Sequence, residues 1–178
     1  RHRRCFETYG MTETITHIAA SKLTVPKKPF KALDGIRLEV DKEGCLVVDA
    51  PDITDKPINT NDIVHLHDSE NFTYLGRRDN VINSGGIKIF PEVVEQKLAN
   101  HIGLPFFVYG IPDKFLGEKP VLVVEGEERQ ILKFKLNQTS LKGLDKFEVP
   151  KEIYYVSEIL RNNGKYLRKK TINTLIIS

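Results

Sequence analysis

Between Tyr74 and Glu95 the order of residue types leaves the chain little freedom. Tyr74-Leu75-Gly76 is followed by Arg77-Arg78-Asp79, then Asn80-Val81-Ile82-Asn83-Ser84-Gly85-Gly86-Ile87-Lys88-Ile89-Phe90, and Pro91 precedes Glu92-Val93-Val94-Glu95. A strand that ends in guanidinium groups beside an acid, a glycine pair suited to a tight hairpin, and a proline at a helix start have few accidental equivalents in that order. The helix that Pro91 opens carries Val94 and Leu98 on one face.

Upstream of this run the pattern is that of strands. Ile36, Leu38 and Val40 alternate with polar residues, Asp41-Lys42-Glu43-Gly44 forms a turn, and Leu46-Val47-Val48 resumes the strand pattern. Ile63 to Leu75 repeats the strand character around Asp68-Ser69-Glu70-Asn71, so residues 21–76 read as an all-β unit with no long helix. Downstream, 106–111, 121–125 and 153–156 read as strands, 127–138 as a helix and 168–176 as a closing helix. The change of pattern near Asp79 divides the chain into a β-rich part, 1–78, and a mixed α+β domain, 79–178.

Composition bounds the partners. With 40% hydrophobic residues the chain can bury a core, and no apolar run approaches the roughly 20 residues of a membrane helix. The balance of 27 Lys+Arg against 24 Asp+Glu is too even to imply nucleic acid. Cys5 and Cys45 form neither a metal-type pair nor a disulfide framework, which makes a reducing, cytoplasmic setting the simpler expectation. His65 and His67 lie two apart on a strand without a third ligand at suitable spacing, and read as surface histidines.

Three shorter segments also carry chemistry. In Tyr9-Gly10-Met11-Thr12-Glu13 an aromatic face can stack on a purine, a glycine admits close backbone approach, a hydroxyl can meet a phosphate and a carboxylate can hold Mg²⁺. Five such residues alone also suit a polar loop around a buried tyrosine. In Thr60-Asn61-Asp62 the carboxylate can accept from both hydroxyls of a ribose, or serve as an ordinary turn acid. In Asn162-Asn163-Gly164-Lys165 the glycine permits a turn that projects Lys165 as a mobile point charge, whereas Lys169 and Lys170 read as a solvated helix face. His17 can face either a ligand or solvent.

Taken together, in order and rough spacing, these segments resemble the adenylate-forming superfamily of acyl-CoA synthetases, adenylation domains and luciferases over nearly the whole chain. The resemblance implies a β-rich, distorted barrel-like remnant of the large adenylation domain, then the small mobile α+β domain. It implies that Tyr9 stacks on adenine, Thr12 touches the phosphate, Glu13 binds Mg²⁺, and Asp62 and Arg77 hold the ribose. It makes Asp79 the hinge, places Gly85 and Gly86 along the CoA tunnel, and makes Lys165 the adenylation lysine. Within the family, Thr8-Tyr9-Gly10-Met11-Thr12-Glu13-Thr14-Ile15-Thr16-His17 together with Val81-Ile82-Asn83-Ser84-Gly85-Gly86 is most similar to o-succinylbenzoate:CoA ligases of menaquinone synthesis.

The implied activity is ATP-dependent and AMP-forming. A small-molecule carboxylate and ATP give an acyl-adenylate, and the thiol of CoA then releases AMP. Three positions depart from the family's usual pattern: Asn61 replaces a glycine, Asn83 replaces a lysine, and no proline precedes Gly164-Lys165. The family's Gly/Ser/Thr-rich phosphate loop lies before the tyrosine motif and has no counterpart in these residues. We therefore expect further sequence upstream and no ligase turnover from these residues alone. Two alternatives stand beside this reading: an adenylation domain that loads a carrier protein, and a noncatalytic nucleotide-binding or interaction module.

Overall fold

Residues 5–24, 26–126 and 143–176 are described by a computed structural model. The helix expected over 127–138 lies outside them. The chain divides into two compact units, Arg1–Asp79 and Asn80–Ser178.

The first unit is built from β1 (Phe6–Gly10), β2 (His17–Lys22), β3 (Phe30–Ala32), β4 (Arg37–Val40), β5 (Cys45–Asp49), β6 (Ile58–Leu66) and β7 (Asn71–Arg77). Their order in the sheet is β1-β2-β3-β7-β6-β5-β4, antiparallel at each pairing. The step from β3 to β7 brings the first three strands beside the last one, and so gathers distant sequence onto one sheet. Ile18, Phe30, Leu46, Val48 and Phe72 form its buried side. In the β4–β5 hairpin the alternation is only half used: Leu38 is buried, while Val40 is exposed on what is the edge strand of the sheet. Thr60-Asn61-Asp62, where Asp62 also suited an ordinary turn acid, lies inside β6. There the Thr60 hydroxyl accepts the Asp62 N–H at 3.1 Å, and side-chain polarity had hidden the strand.

The second unit contains β8 (Ile82–Ser84), β9 (Ile87–Ile89), α1 (Pro91–Leu98), β10 (Phe106–Asp113), β11 (Gly117–Glu125), β12 (Glu152–Val156), the short hairpin β13 (Arg161–Asn162) and β14 (Lys165–Tyr166), and α2 (Arg168–Ile176). Strands β10-β11-β8-β9 run antiparallel, and β12 lies parallel to β11. The apolar run Val121-Leu122-Val123-Val124 is buried throughout because both faces of β11 are covered. Leu122 and Val124 join Val94 and Leu98 of α1 in one cluster, whereas Val121 and Val123 join Ile172 of α2 in another.

Two turns in this unit use residues with positive φ for a definite purpose. Gly85 (φ 59°) and Gly86 (φ 83°) close β8 onto β9, and Asn163 (φ 48°) and Gly164 (φ 76°) close β13 onto β14. Both are two-residue hairpins of the primed kind, whose twist matches that of the paired strands.

Candidate nucleotide site and its relatives

The first unit brings three of the singled-out residues together. Asp62 on β6 lies opposite Arg77 on β7 in the strand register, and its Oδ1 is 3.3 Å from the Arg77 guanidinium. Tyr9 reaches the same carboxylate from β1, its hydroxyl donating to Oδ2 at 2.6 Å. The Tyr9 ring spans the intervening strands by packing edge-on to Phe72 at 5.2 Å and tilted against Phe30 at 5.9 Å and Tyr74 at 6.5 Å. The aromatic pair beneath it, Phe30 and Phe72, was not singled out from sequence. Its signal was the period-two burial of short strands, which says nothing about which tyrosine it supports.

A carboxylate can accept about four hydrogen bonds. Tyr9 and Arg77 engage one direction on each oxygen, so Asp62, with 15% of its side chain exposed, retains acceptor capacity toward solvent. Arg77 is half exposed beside it.

Burial pushes the Tyr9 phenol above its ordinary value of 10.0, and the hydrogen bond to Asp62 adds to the shift. Since the folded chain holds that proton more tightly than the unfolded chain, this contribution to stability is fully present below pH 10 and is lost as pH rises further. In an ultraviolet absorbance titration one of the six tyrosines is therefore expected to ionise well after the exposed ones, and Asp62→Asn to bring it back toward them. Simultaneous ionisation in both proteins would contradict this environment.

After Tyr9 the backbone turns sharply. Thr12, Glu13 and Thr14 form a 3-10 turn; Thr12 and Glu13 are exposed and Thr14 is fully buried. The Thr14 hydroxyl accepts the Met11 N–H at 3.3 Å and lies 3.0 Å from the Met11 carbonyl and 2.8 Å from that of Thr16, which it bridges. This threonine was passed over in the sequence because its role is to hold the turn. Gly10 also proves to be required by the chain itself: a Cβ there would lie 2.6 Å from the Thr16 carbonyl oxygen and 2.8 Å from the His17 Cα. The glycine thus serves the return into β2, whatever approaches the other side.

Ile15, next along, is a β-branched residue at φ 62° and is 92% exposed. Left-handed backbone costs such a residue about 1–2 kcal/mol, and no burial offsets it here. Ile15→Asn is accordingly expected to raise stability by about 1 kcal/mol, seen as a higher urea midpoint with an unchanged slope. A lower midpoint would show that the turn draws stability from the isoleucine.

Asp79 accepts a hydrogen bond from the Asn61 side-chain amide at 2.5 Å. Gly85, Gly86 and Lys165 all belong to the second unit. Gly85 donates its N–H to the Leu116 carbonyl at 2.8 Å, and Lys165 is exposed on β14, with no ion-pair partner among the described residues. His65 is exposed on β6, whereas His67, also exposed, lies just past the end of that strand; their rings meet edge-on at 4.7 Å, and His67 shares a hydrogen bond with Thr73. None of the described helices is long and apolar enough to cross a membrane.

No family model matches the chain. Solved structures do. An acyl-CoA synthetase (AMP-forming)/AMP-acid ligase II-like protein from Dyadobacter fermentans is 34% identical, with a TM-score of 0.52, over 97% of this chain and 51% of that one. The o-succinylbenzoate coenzyme A synthetase MenE of Bacillus subtilis, solved in complex with ATP and magnesium ion, aligns with a TM-score of 0.76 at 22% identity over 95% of this chain and 41% of that one. The strand-rich α+β architecture is thus that of a part of the adenylate-forming fold, and the chain resembles the AMP-forming acyl-CoA ligases.

Curated relatives with the same coverage of the chain are 2-succinylbenzoate–CoA ligases. The 2-succinylbenzoate–CoA ligase of Bacillus cytotoxicus is 30% identical over 96% of the chain. The chain spans 41% of the length of that curated relative.

Proposed function

We propose that this chain is part of an ATP-dependent, AMP-forming acyl-CoA ligase whose acid is 2-succinylbenzoate. In the first half-reaction a carboxylate oxygen bonds to the α-phosphorus of ATP and pyrophosphate leaves. In the second the CoA thiol bonds to the acyl carbon, AMP leaves with the electron pair, and the thiol proton passes to solvent. The observation that carries the reading is the convergence of Tyr9, Asp62 and Arg77 from three strands, in a chain similar throughout to such ligases. Asp62 has the free acceptor capacity to take both ribose hydroxyls, with Arg77 alongside and Tyr9 bordering the adenine.

Thr12 would meet the phosphate, and Glu13 would supply a carboxylate oxygen to Mg²⁺. Glu13 suits that role as an exposed carboxylate with no side-chain partner among the described residues, because Mg²⁺ keeps several waters and needs one or two protein carboxylates. The bound ion would neutralise charge on the phosphates. From the second unit Lys165 would approach the reacting phosphate, the Gly85-Gly86 turn would border the path of CoA, and Asp79 would be the hinge between half-reactions. The setting is cytoplasmic, and the partners are the acid, ATP and CoA.

The reading is tested by pyrophosphate exchange into ATP, dependent on 2-succinylbenzoate, in the complete ligase polypeptide that carries this sequence. Asp62→Ala is expected to raise the KM for ATP by about 10- to 100-fold, as the loss of charge-assisted hydrogen bonds to two hydroxyls requires. Exchange unaffected by Asp62→Ala would remove Asp62 from the nucleotide site.

A further inference from the structure

Arg78, Asp79 and Asn80 form a single 3-10 turn, yet their side chains are bound to different units. The Arg78 guanidinium pairs with Glu43 in the β4–β5 turn, and Asp79 Oδ2 accepts from Asn61 Nδ2 on β6 at 2.5 Å, both within the first unit. Asn80 Nδ2 donates instead to Glu92 Oε1 at 2.5 Å in the first turn of α1, within the second unit. Ownership of the backbone therefore changes between two adjacent residues.

The Asn61 contact is the unusual member of this set. Its Nδ2 is engaged by Asp79 while Oδ1 of the same amide is buried without a protein partner. A buried acceptor left unmade opposes folding, so nothing about this amide's own environment favours it except the bond to Asp79. Glycine, the residue that the family resemblance places at this position, could make no such bond.

We propose that Asn61 is a positioning residue that latches the Asp79 carboxylate to β6, so that reorientation of the second unit is confined to the torsions between Asp79 and Asn80. Resting on the ligase reading above, the latch also biases the balance between the adenylate-forming and thioester-forming arrangements. Removing it frees the Asp79 torsions and lets the second unit explore more orientations, while the nucleotide site loses no ligand of its own.

The test has one arm that needs no catalysis. Spin labels are placed on the exposed Cys5 and on Lys170→Cys, one in each unit, and their distance distribution is measured in the 178-residue chain. Asn61→Gly is expected to broaden the distribution and raise the population outside its main peak by about fivefold, the scale of losing one solvent-accessible hydrogen bond of ordinary net strength. Asp79→Asn, which keeps an acceptor, is expected to stay narrow. Asn61→Gly/Asp79→Ala is expected to be no broader than either single change, because both remove one contact. In the complete ligase, Asn61→Gly is expected to change the ratio of pyrophosphate exchange to thioester formation by about fivefold at an unchanged KM for ATP. Identical distributions for the wild-type and Asn61→Gly chains overturn the latch. Broadening in a protein that forms no acyl-CoA upholds the latch and refutes the ligase reading instead.

Discussion

Replacing Arg168 with alanine is expected to destabilise the second unit by about 3–5 kcal/mol, enough to consume much of a typical domain's 5–15 kcal/mol. Arg168 sits at the start of α2 with only 13% of its side chain exposed, and it meets Glu95 of α1 through both nitrogens, at 2.6 and 3.0 Å. It also donates to the Val108 carbonyl at 2.9 Å and lies over the Phe107 ring. Glu95 in turn accepts the Val108 N–H at 2.7 Å. One guanidinium thus joins both helices to the strand between them, and its loss strands a largely buried carboxylate.

Burial pushes the Glu95 carboxyl above its ordinary 4.5, while Arg168 and the Val108 N–H pull it back. Without Arg168 the folded-state value rises further, so the variant's deficit should be smallest below pH 4.5 and grow as pH rises through the raised value. Urea unfolding followed by circular dichroism checks both statements. Arg168→Met/Glu95→Met is expected to recover part of the loss, since it removes the stranded Glu95 charge while Glu92, 3.5 Å from Arg168, and the Val108 N–H each still lose a partner. A deficit below about 0.5 kcal/mol, the range of ordinary surface changes, would show that the helices are held by apolar packing alone.

Lys165→Ala is expected to slow adenylation in the complete ligase by about 10²- to 10³-fold, the usual effect of removing one preorganised charge stabiliser. The role is the one that the family resemblance implies, and the position accommodates it. The Asn163-Gly164 turn sets the lysine at the tip of a two-residue hairpin, exposed and without an ion-pair partner among the described residues. Its four-carbon stem leaves the ammonium free to meet charge that develops as pyrophosphate leaves. Because the side chain contributes no burial, stability should be unchanged. Thioester formation started from preformed acyl-adenylate should stay within about threefold of wild type, because no pyrophosphate leaves in that step. Equal losses in both half-reactions would assign Lys165 to general substrate binding.

Local features of the chain were legible where residue chemistry dictates backbone shape. Gly85-Gly86 and Asn163-Gly164 announce primed turns, Pro91 opens α1, and an unbroken Val121–Val124 run marks a strand covered on both faces. Contacts between distant residues were not. Tyr9 and Asp62 are 53 residues apart, and Glu95 and Arg168 are 73 apart. Both pairs are created by strand order and helix packing, to which local pattern is blind. The 3-10 turn at Thr12–Thr14 and the left-handed Ile15 were likewise hidden, because a β-branched residue at positive φ contradicts its own propensity. Asn61 showed itself only as a departure from the family pattern, and its contact with Asp79 gives that departure a physical meaning.

The central claim is tested most directly by the products formed when the complete ligase polypeptide is given ATP, Mg²⁺, CoA and 2-succinylbenzoate. The account predicts AMP, pyrophosphate and the acyl-CoA thioester in equal amounts, none of them formed without the acid. It also predicts no turnover by the 178-residue chain alone, which spans 41% of the length of the Bacillus cytotoxicus 2-succinylbenzoate–CoA ligase. Formation of ADP and phosphate, or nucleotide binding with no thioester from any carboxylate offered, would contradict it.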